Sequence, residues 1–346
     1  MFDKIISDTD TPLFRAAKSV QQDYVLVRNK STDVTREFPN NTAFWGHHAK
    51  KEGGWLNEVG EFLGSHWSAE EFEITPLSRL HPDIPQGQHL KEAERKFDFF
   101  VGGLKKLGIA HDYELVIGGG ENFRYECAQI LPYKGERKDK PLLFKELTEL
   151  VKNKYRNKLT VTDGIEADDY LAMKGWENYQ HYKRTNRWKY VLSFVDKDLK
   201  QIISPIVCPD KKEEGVKMVT PEQAAYSYAM QLLVGDKSTD NIQGLPSFTK
   251  EVKERYNLKN VRGVGEATAE KFLEGCNVKE MFERVVEAYK SFYGERKSEF
   301  TSHRGEKFHW NWLDYLQDNA RLLYLLREKG EVYHITSTLD KLGVKY

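Results

Sequence analysis

Cysteine is scarce in this chain. The 346 residues include only Cys127, Cys208 and Cys276, far apart and in no Cys-x-x-Cys or Cys/His arrangement. A disulfide scaffold and a zinc-ribbon type of site are therefore excluded, and reduced, buried, structural thiols of the cytosolic kind are expected. The ten histidines show no His-Glu-x-x-His or similar ligand spacing, and His47-His48 reads as a loop pair. No stretch approaches the ~18 consecutive apolar residues of a membrane span. Met1-Phe-Asp-Lys-Ile does not lead into the apolar run of a secretory signal. A soluble, cytoplasmic monomer with no membrane partner is expected. Net charge is missing too, since 53 basic residues balance 53 acidic ones. A basic excess is the usual footprint of a nucleic-acid partner. Distribution matters more than the sum, however, and an acidic site offsets basic grooves elsewhere.

What is present is an alternation of apolar runs and helical patterns. Ile5-Ile6-Ser7 reads as a strand that leads through Asp8-Thr9-Asp10 into a helix with Leu13, Phe14, Ala16 and Ala17. Residues from about 28 to 90 are aromatic and carry turn signals, and read as an insertion of short strands and loops. From Lys91 to Leu107, Ala93, Phe97, Phe100, Val101, Leu104 and Leu107 share one helical face, and Gly108 stops the helix. Leu115-Val116-Ile117 is a second buried strand, broken by Gly118-Gly119-Gly120. Helices are expected over Leu142–Val151, Glu166–Tyr182 and Pro221–Val234, with the clearest strand at Tyr190–Val195. Strands alternating with helices predict an α/β fold with a mostly parallel central sheet flanked by helices. Sites in such sheets lie beyond the carboxyl ends of the strands, where Asp8 and Asp196 fall. The expected division is a core over 1–220, with the insertion inside it, followed by a helical region over 221–346.

Four groups of carboxylates follow element boundaries: Asp8 and Asp10; Glu166, Asp168 and Asp169; Asp196 and Asp198; and Asp236 and Asp240. Each group alone has a plain explanation, because acids favour the first turn of a helix and Asp-rich loops make turns. Together they carry more weight. Carboxylates that converge repel one another unless a positive charge sits among them. Oxygen-only ligation suits hard cations such as Mg²⁺ or Mn²⁺. Paired divalent ions are a recurring device for cleaving phosphodiesters.

At these residues the sequence resembles the flap endonuclease family of 5′ nucleases, above all the bacteriophage 5′→3′ exonucleases and the 5′-nuclease domain of bacterial DNA polymerase I. Asp8 with Phe14-Arg15, Gly164-Ile165-Glu166-Ala167-Asp168-Asp169, Val195-Asp196-Lys197-Asp198 and Gly235-Asp236 with Asp240-Asn241 resemble the family's acidic motifs in order. Tyr133-Lys134-Gly135-Glu136-Arg137-Lys138 is similar to its helical arch, and Arg262-Gly263-Val264-Gly265 to the glycine turn of its helix-three-turn-helix. The resemblance runs from Asp8 to about Leu273. It implies a PIN-like 5′-nuclease core with a helical arch and a C-terminal helix-three-turn-helix subdomain. It also implies a Mg²⁺-dependent 5′→3′ exonuclease with flap endonuclease activity, working on DNA with a 5′ end, a flap or an RNA primer. Two Mg²⁺ ions, replaceable by Mn²⁺, would be held by Asp8, Glu166, Asp168, Asp169, Asp196, Asp198, Asp236 and Asp240, and a K⁺ ion by the glycine turn. Lys134 and Arg137, on one face of a helix, would position the scissile phosphate. Tyr133 would stack on an unpaired base, and Arg262, Gly263 and Gly265 would bind the duplex backbone.

The sequence departs from the family pattern in places. The Asp expected after the second strand is missing, and Glu121 is the candidate to replace it. The gap from Asp236 to Asp240 is one residue longer than usual, a spacing that still shares a helical face. Ser247 to Val261 is an insertion that reads as added DNA contact or as a surface hairpin. Two other readings stay open: a catalytically silent flap-binding protein, and a ribonuclease of the PIN type.

Overall fold

The structure is a computed structural model. It describes residues 1–46, 53–63, 67–137, 139–195, 198–259 and 262–346, without the side chains of 61–63, 69 and 198. The expectations that fall on His47-His48, Lys138, Asp196, Lys197 and Val261 lie outside the described residues.

In chain order the elements begin β1 Phe2–Asp8, α1 Asp10–Lys18, β2 Gln21–Asn29, β3 Thr35–Phe38, α2 Asn41–Trp45, α3 Trp55–Leu63, β4 Phe72–Leu80 and α4 His89–Lys106. There follow β5 Ala110–Ile117, α5 Arg124–Cys127, α6 Phe144–Lys154, β6 Leu159–Val161, α7 Ala167–Thr185, β7 Tyr190–Ser193, β8 Pro205–Val207 and β9 Lys217–Met218. The remainder is α8 Pro221–Val234, α9 Lys250–Arg255, α10 Glu266–Leu273, α11 Val278–Tyr293, β10 Ser298–Thr301, β11 Lys307–Trp310, α12 Trp312–Leu323 and α13 Ile335–Leu342. The chain divides into two compact units, one of residues 1–11, 102–139 and 155–346, the other of 12–101 and 140–154.

The larger unit is built on a six-stranded sheet in the order β6-β5-β1-β7-β8-β9. All its pairings are parallel except that of β8 with the edge strand β9. The expected mostly parallel α/β sheet with flanking helices is therefore present. Apolar runs explain why β1, β5 and β7 take the centre. Ile5, Ile6, Leu115, Val116, Ile117, Val191 and Leu192 are all buried, as the strands of a sheet covered on both faces must be. The crossover helix α7 lays Ala167, Leu171 and Ala172 on Ile6, Val116 and Leu192. This packing fixes the start of α7 at the carboxyl ends of β1 and β5, where a site in such a sheet is expected.

The helices after β9 share one core, in which Tyr228, Leu232, Phe272, Phe282, Tyr289, Leu316 and Ile335 are buried together. Ala128 and Tyr133 belong to it as well, so this core draws residues from both sides of position 220. α8 starts as its sequence predicts. Thr220 caps it in a reciprocal box with Gln223, a proline sits in its first turn, and Gly235 ends it. Within the segment read as added DNA contact or a surface hairpin, Lys250–Arg255 forms the short helix α9, with Phe248 and Val252 buried in the same core.

The smaller unit contains the aromatic segment expected over 28–90. Its strands are longer than the sequence suggested, since β2 and β4 pair antiparallel from Gln21↔Leu80 to Asn29↔Phe72, with β3 on the other side of β2. Val25, Val27, Phe38, Phe44, Leu56 and Phe72 form its own core. The Phe44 ring meets Phe72 edge-on at 5.2 Å between centroids, a favoured aromatic geometry.

Candidate functional site

The site grows from two strand ends and one helix start. At the end of β1, Asp8 is buried, and its Oδ1 accepts the Asp10 N–H at 3.0 Å. The Asp10 carboxylate reaches across to β5 and accepts the Gly118 N–H, with 3.2 and 3.1 Å to its two oxygens. The glycine run after β5 has steric causes. A Cβ on Gly118 would lie 2.9 Å from Asp10 Oδ2, and one on Gly119 would lie 1.8 Å from the Thr162 carbonyl oxygen. The Cβ position of Gly118 is also 3.9 Å from the Ala167 amide nitrogen, at the first turn of α7. Asp8, Asp10 and the acids of the α7 start thus share the carboxyl edge of the sheet.

α7 begins with a capping box in which Glu166 and Asp169 bond each other's backbone N–H groups. Asp168, the second residue of α7, is half-buried. Asp169 has a different role from the one the sequence suggested. It is wholly buried, and the Arg124 guanidinium grips its two oxygens at 2.6 and 2.8 Å. It also accepts the N–H groups of Leu326 and Glu166. An Asp in that bidentate pair anchors the helix start, which corrects the expectation that it ligates a metal. Arg124 is itself wholly buried and also donates to the carbonyls of Leu322 and Tyr324. Burial works against its charge, but Asp169 and Glu166 beside it raise its pKa above the ordinary arginine value.

Glu166 and Asp240 form the second half of the site. The Tyr133 hydroxyl lies 2.8 Å from Glu166 Oε2 and 2.9 Å from Asp240 Oδ2. One phenolic proton is shared between two carboxyl groups. Lys134 donates to Glu166 Oε1, and Arg137 donates to Asp240 Oδ1 at 3.1 Å. The Asn122 side-chain amide adds a bond to Glu166 Oε1 at 3.1 Å. Burial pushes the Glu166 carboxyl up, yet Arg124 and Lys134 together hold it below the usual range. Burial pushes Asp240 up, against Lys134 and with the help of Glu166. Burial and the two carboxylates raise the Tyr133 phenol far above its ordinary value.

Several sequence expectations are corrected by this geometry. Tyr133 is buried, so its ring is packed in the core and not open for a base to stack on. Residues 133–136 form a turn in which Lys134 takes a φ of +55°, so Lys134 and Arg137 meet the site from a turn and not from one face of a helix. Asp236 to Asp240 is likewise not helical. α8 has ended, Asp236 and Ile242 exchange backbone bonds, and the Asp236 side chain accepts the Thr239 N–H. Glu121 is exposed, and its neighbour Asn122 is the residue that turns inward. Asp198 opens a 3-10 turn after β7, and Asp196 lies outside the described residues. Gly263 has a φ of +74° and Gly265 caps the start of α10, with Arg262 exposed on the same turn. Arg124 and Asn122 are functional neighbours that sequence reasoning did not single out. Their partners lie far along the chain, where no local pattern points to them.

Asp8, Asp10, Glu166 and Asp168 offer oxygen donors, the kind that a hard divalent cation takes. Among the described residues, no three His, Cys, Asp or Glu side chains already stand in a coordination arrangement. The fit therefore rests on the carboxylates of Asp8, Asp10, Glu166 and Asp168 around two strand ends and one helix start.

No protein-family model matches the chain, and no curated protein does. Among solved structures it is similar to bacteriophage T5 nucleases. With the T5 D15 protein co-crystallised with metal ions it has a TM-score of 0.34 and 15% identity over 56% of this chain and 82% of that one. With the T5 flap endonuclease in a pseudo-enzyme-product complex with DNA and metal ions the TM-score is 0.32, at 14% identity over 66% and 90% of the two chains. A T5 5′-exonuclease mutant gives 0.32 and 15% over 66% and 91%. At these scores the likeness adds nothing to the residue geometry.

Proposed function

We propose that this chain is a divalent-metal-dependent 5′ nuclease that hydrolyses DNA phosphodiester bonds, as a 5′→3′ exonuclease with flap endonuclease activity. The observation that carries the reading is the place of Asp8, Asp10 and the start of α7 at one carboxyl edge of the sheet, with Lys134 and Arg137 placed against Glu166 and Asp240. Carboxylates gathered in this way, with two cations at their border, suit cleavage of an anionic ester.

Asp8, Glu166, Asp168, Asp196, Asp198 and Asp240, with Asp236 beside them in the turn after α8, are the proposed holders of two Mg²⁺ ions, for which Mn²⁺ would substitute. When bound, such ions supply an activated water and charge neutralisation for the leaving oxygen. The chain's own contribution is placement. The bidentate Arg124–Asp169 pair locks the first turn of α7, so Glu166 and Asp168 are presented in a fixed direction. Tyr133 and Asn122 orient Glu166. Lys134 and Arg137 provide positive charge where a scissile phosphate would develop negative charge. The turn at Arg262, Gly263 and Gly265 is proposed to hold the duplex backbone, with K⁺ at its carbonyls. Its binding should be independent of sequence and weaken as salt rises.

The test is Asp168→Ala on a 5′-flap DNA substrate with Mg²⁺. Cleavage should fall by several orders of magnitude while DNA binding is retained, and EDTA should abolish wild-type cleavage. Near-wild-type cleavage by this variant would remove the assignment.

A further inference from the structure

We propose that the last turns of α7 and the segment returning from it form a binding surface for single-stranded DNA, apart from the candidate site. The choice of DNA rests on the nuclease reading; the surface itself does not. In a chain with no net charge, a polyanion needs a place where positive charge is concentrated. From Lys174 to Lys189 the cations are Lys174, Lys183, Arg184, Arg187 and Lys189, against the single acid Glu177. Lys174 pairs with Glu177 at 2.9 Å, and Arg187 with Asp3 at 2.7 Å. Glu177 also accepts the Tyr190 hydroxyl. Among the described residues, Lys183, Arg184, Lys189 and Arg327 have no carboxylate within ion-pair distance. Glu331, near Arg327, is taken by the Tyr324 hydroxyl and the Arg327 backbone N–H.

The same stretch carries a row of rings. Asn186 ends α7 in the left-handed region, with a φ of +55°, and its N–H bonds the Tyr182 carbonyl at 2.7 Å. The chain turns back there, and Asn178 fixes the return by accepting the N–H groups of Lys189 and Tyr190. Trp188 is thereby laid on Tyr182, with centroids 4.4 Å apart and planes 10° from parallel. Tyr179 follows at 6.2 Å from Trp188, and Trp176 at 5.8 Å from Tyr179. All four rings are half-buried, so each keeps part of its surface in solvent. Lys183 Nζ stands 5.0 Å over Tyr179, and the Arg327 guanidinium 4.6 Å over Trp176.

Cations at the end of a helix have a plain use, since they meet the negative end of its dipole. That use covers Lys183 and Arg184 but not Lys189 and Arg327, which lie beyond α7. Single-strand binders join a cationic track to rings on which bases stack. An acidic peptide would answer the charge alone, whereas a nucleic-acid strand answers both the charge and the rings. The capped turn and the Asn178 bonds hold the rings in place beforehand, which lowers the ordering cost of binding. Glu166 lies at the other end of α7, on the order of 20 Å away along the helix.

The experiment is titration of the intact protein in EDTA with labelled oligothymidylate, read by anisotropy over a range of salt. Lys183→Gln with Arg184→Gln should weaken binding by at least about tenfold. It should also lower the slope of log affinity against log salt by about 1.4, two phosphate contacts at about 0.7 each. Trp188→Leu should weaken binding by at least about fivefold, the loss of one stacked base. Both glutamine substitutions fall on exposed side chains, so they carry the test if the Trp188 variant fails to fold. Heparin, a polyanion without bases, should bind more weakly and be indifferent to Trp188→Leu. Wild-type affinity in the glutamine variant would overturn the surface, and heparin binding as tight as that of oligothymidylate would overturn its assignment to nucleic acid. A preference of about tenfold or more for oligouridylate would overturn the choice of DNA. The two readings fail separately. A wild type that binds oligothymidylate through this surface but cleaves no DNA ends the nuclease reading alone, and normal cleavage with unchanged binding by the glutamine variant ends this proposal alone.

Discussion

The Arg124–Asp169 pair offers the sharpest test of how the site is held. Both side chains are wholly buried, and the guanidinium makes two short bonds to the carboxylate and one to each of two carbonyls. Arg124→Met keeps an unbranched apolar stem but removes every donor. The Asp169 charge would then be left in a low-dielectric interior with only backbone N–H partners. Breaking a buried pair from one side costs roughly 3–5 kcal/mol, mostly the penalty of the stranded charge. Arg124→Lys should lose nearly as much, since a single ammonium cannot reproduce the fork. The double variant Arg124→Met with Asp169→Leu removes the stranded charge and should recover most of the loss. Urea unfolding of the wild type, Arg124→Met, Asp169→Leu and the double variant gives the coupling through a double-mutant cycle. An Arg124→Met protein within about 1 kcal/mol of wild type would refute the argument that this pair anchors α7. So would additive effects of the two substitutions.

Two other outcomes are expected. Gly119→Ala puts a methyl 1.8 Å from the Thr162 carbonyl and must push the β5 and β6 ends apart. Thermal melting should show a loss of at least 1–3 kcal/mol, and an unchanged midpoint would mean that this close approach does not exist. Asp318 is pushed up to about 6 by burial, against the N–H bonds it accepts from Gln129 and Ile130. Because the folded state holds this proton more tightly than the unfolded chain, its contribution is complete below the unfolded value near 3.8 and is lost as pH rises through about 6. The loss is on the order of 3 kcal/mol, at about 1.4 kcal/mol for each pKa unit. Stability measured from pH 4 to 6.5 should fall with that slope in the wild type and more weakly in Asp318→Asn. Identical slopes in the two proteins would refute the assignment to Asp318.

What could be read in the sequence followed from local signals. β1, β5 and β7 announce themselves by unbroken apolar runs, and α8 by Thr220, Pro221 and Gly235. The carboxylate groups were visible because they sit where strands end and helices begin. Failures came where one residue's backbone overrode a spacing argument. Lys134 adopts a positive φ and Gly135 follows it, so three-residue spacing made a turn and not a helical face. Gly235 stopped α8 just before Asp236, which removed the helix on which Asp236 and Asp240 were to align. Other features depended on partners far along the chain. Asp10 meets Gly118, and Arg124 meets Asp169 and the 322–326 segment, and no local pattern reports such meetings. Tyr133 looked like a surface aromatic among charges, whereas long-range packing buries it between two carboxylates.

The anchoring of Asp169 has a consequence for biosynthesis. Its guanidinium partner also requires the carbonyls of Leu322 and Tyr324, and the carboxylate takes the amide of Leu326. A ribosome translating this message will have assembled every strand of the central sheet long before those acceptors emerge. The growing polypeptide would therefore carry its acidic residues in a loosely held form for most of its synthesis. Only when the segment around 326 clears the exit tunnel can the first turn of α7 lock.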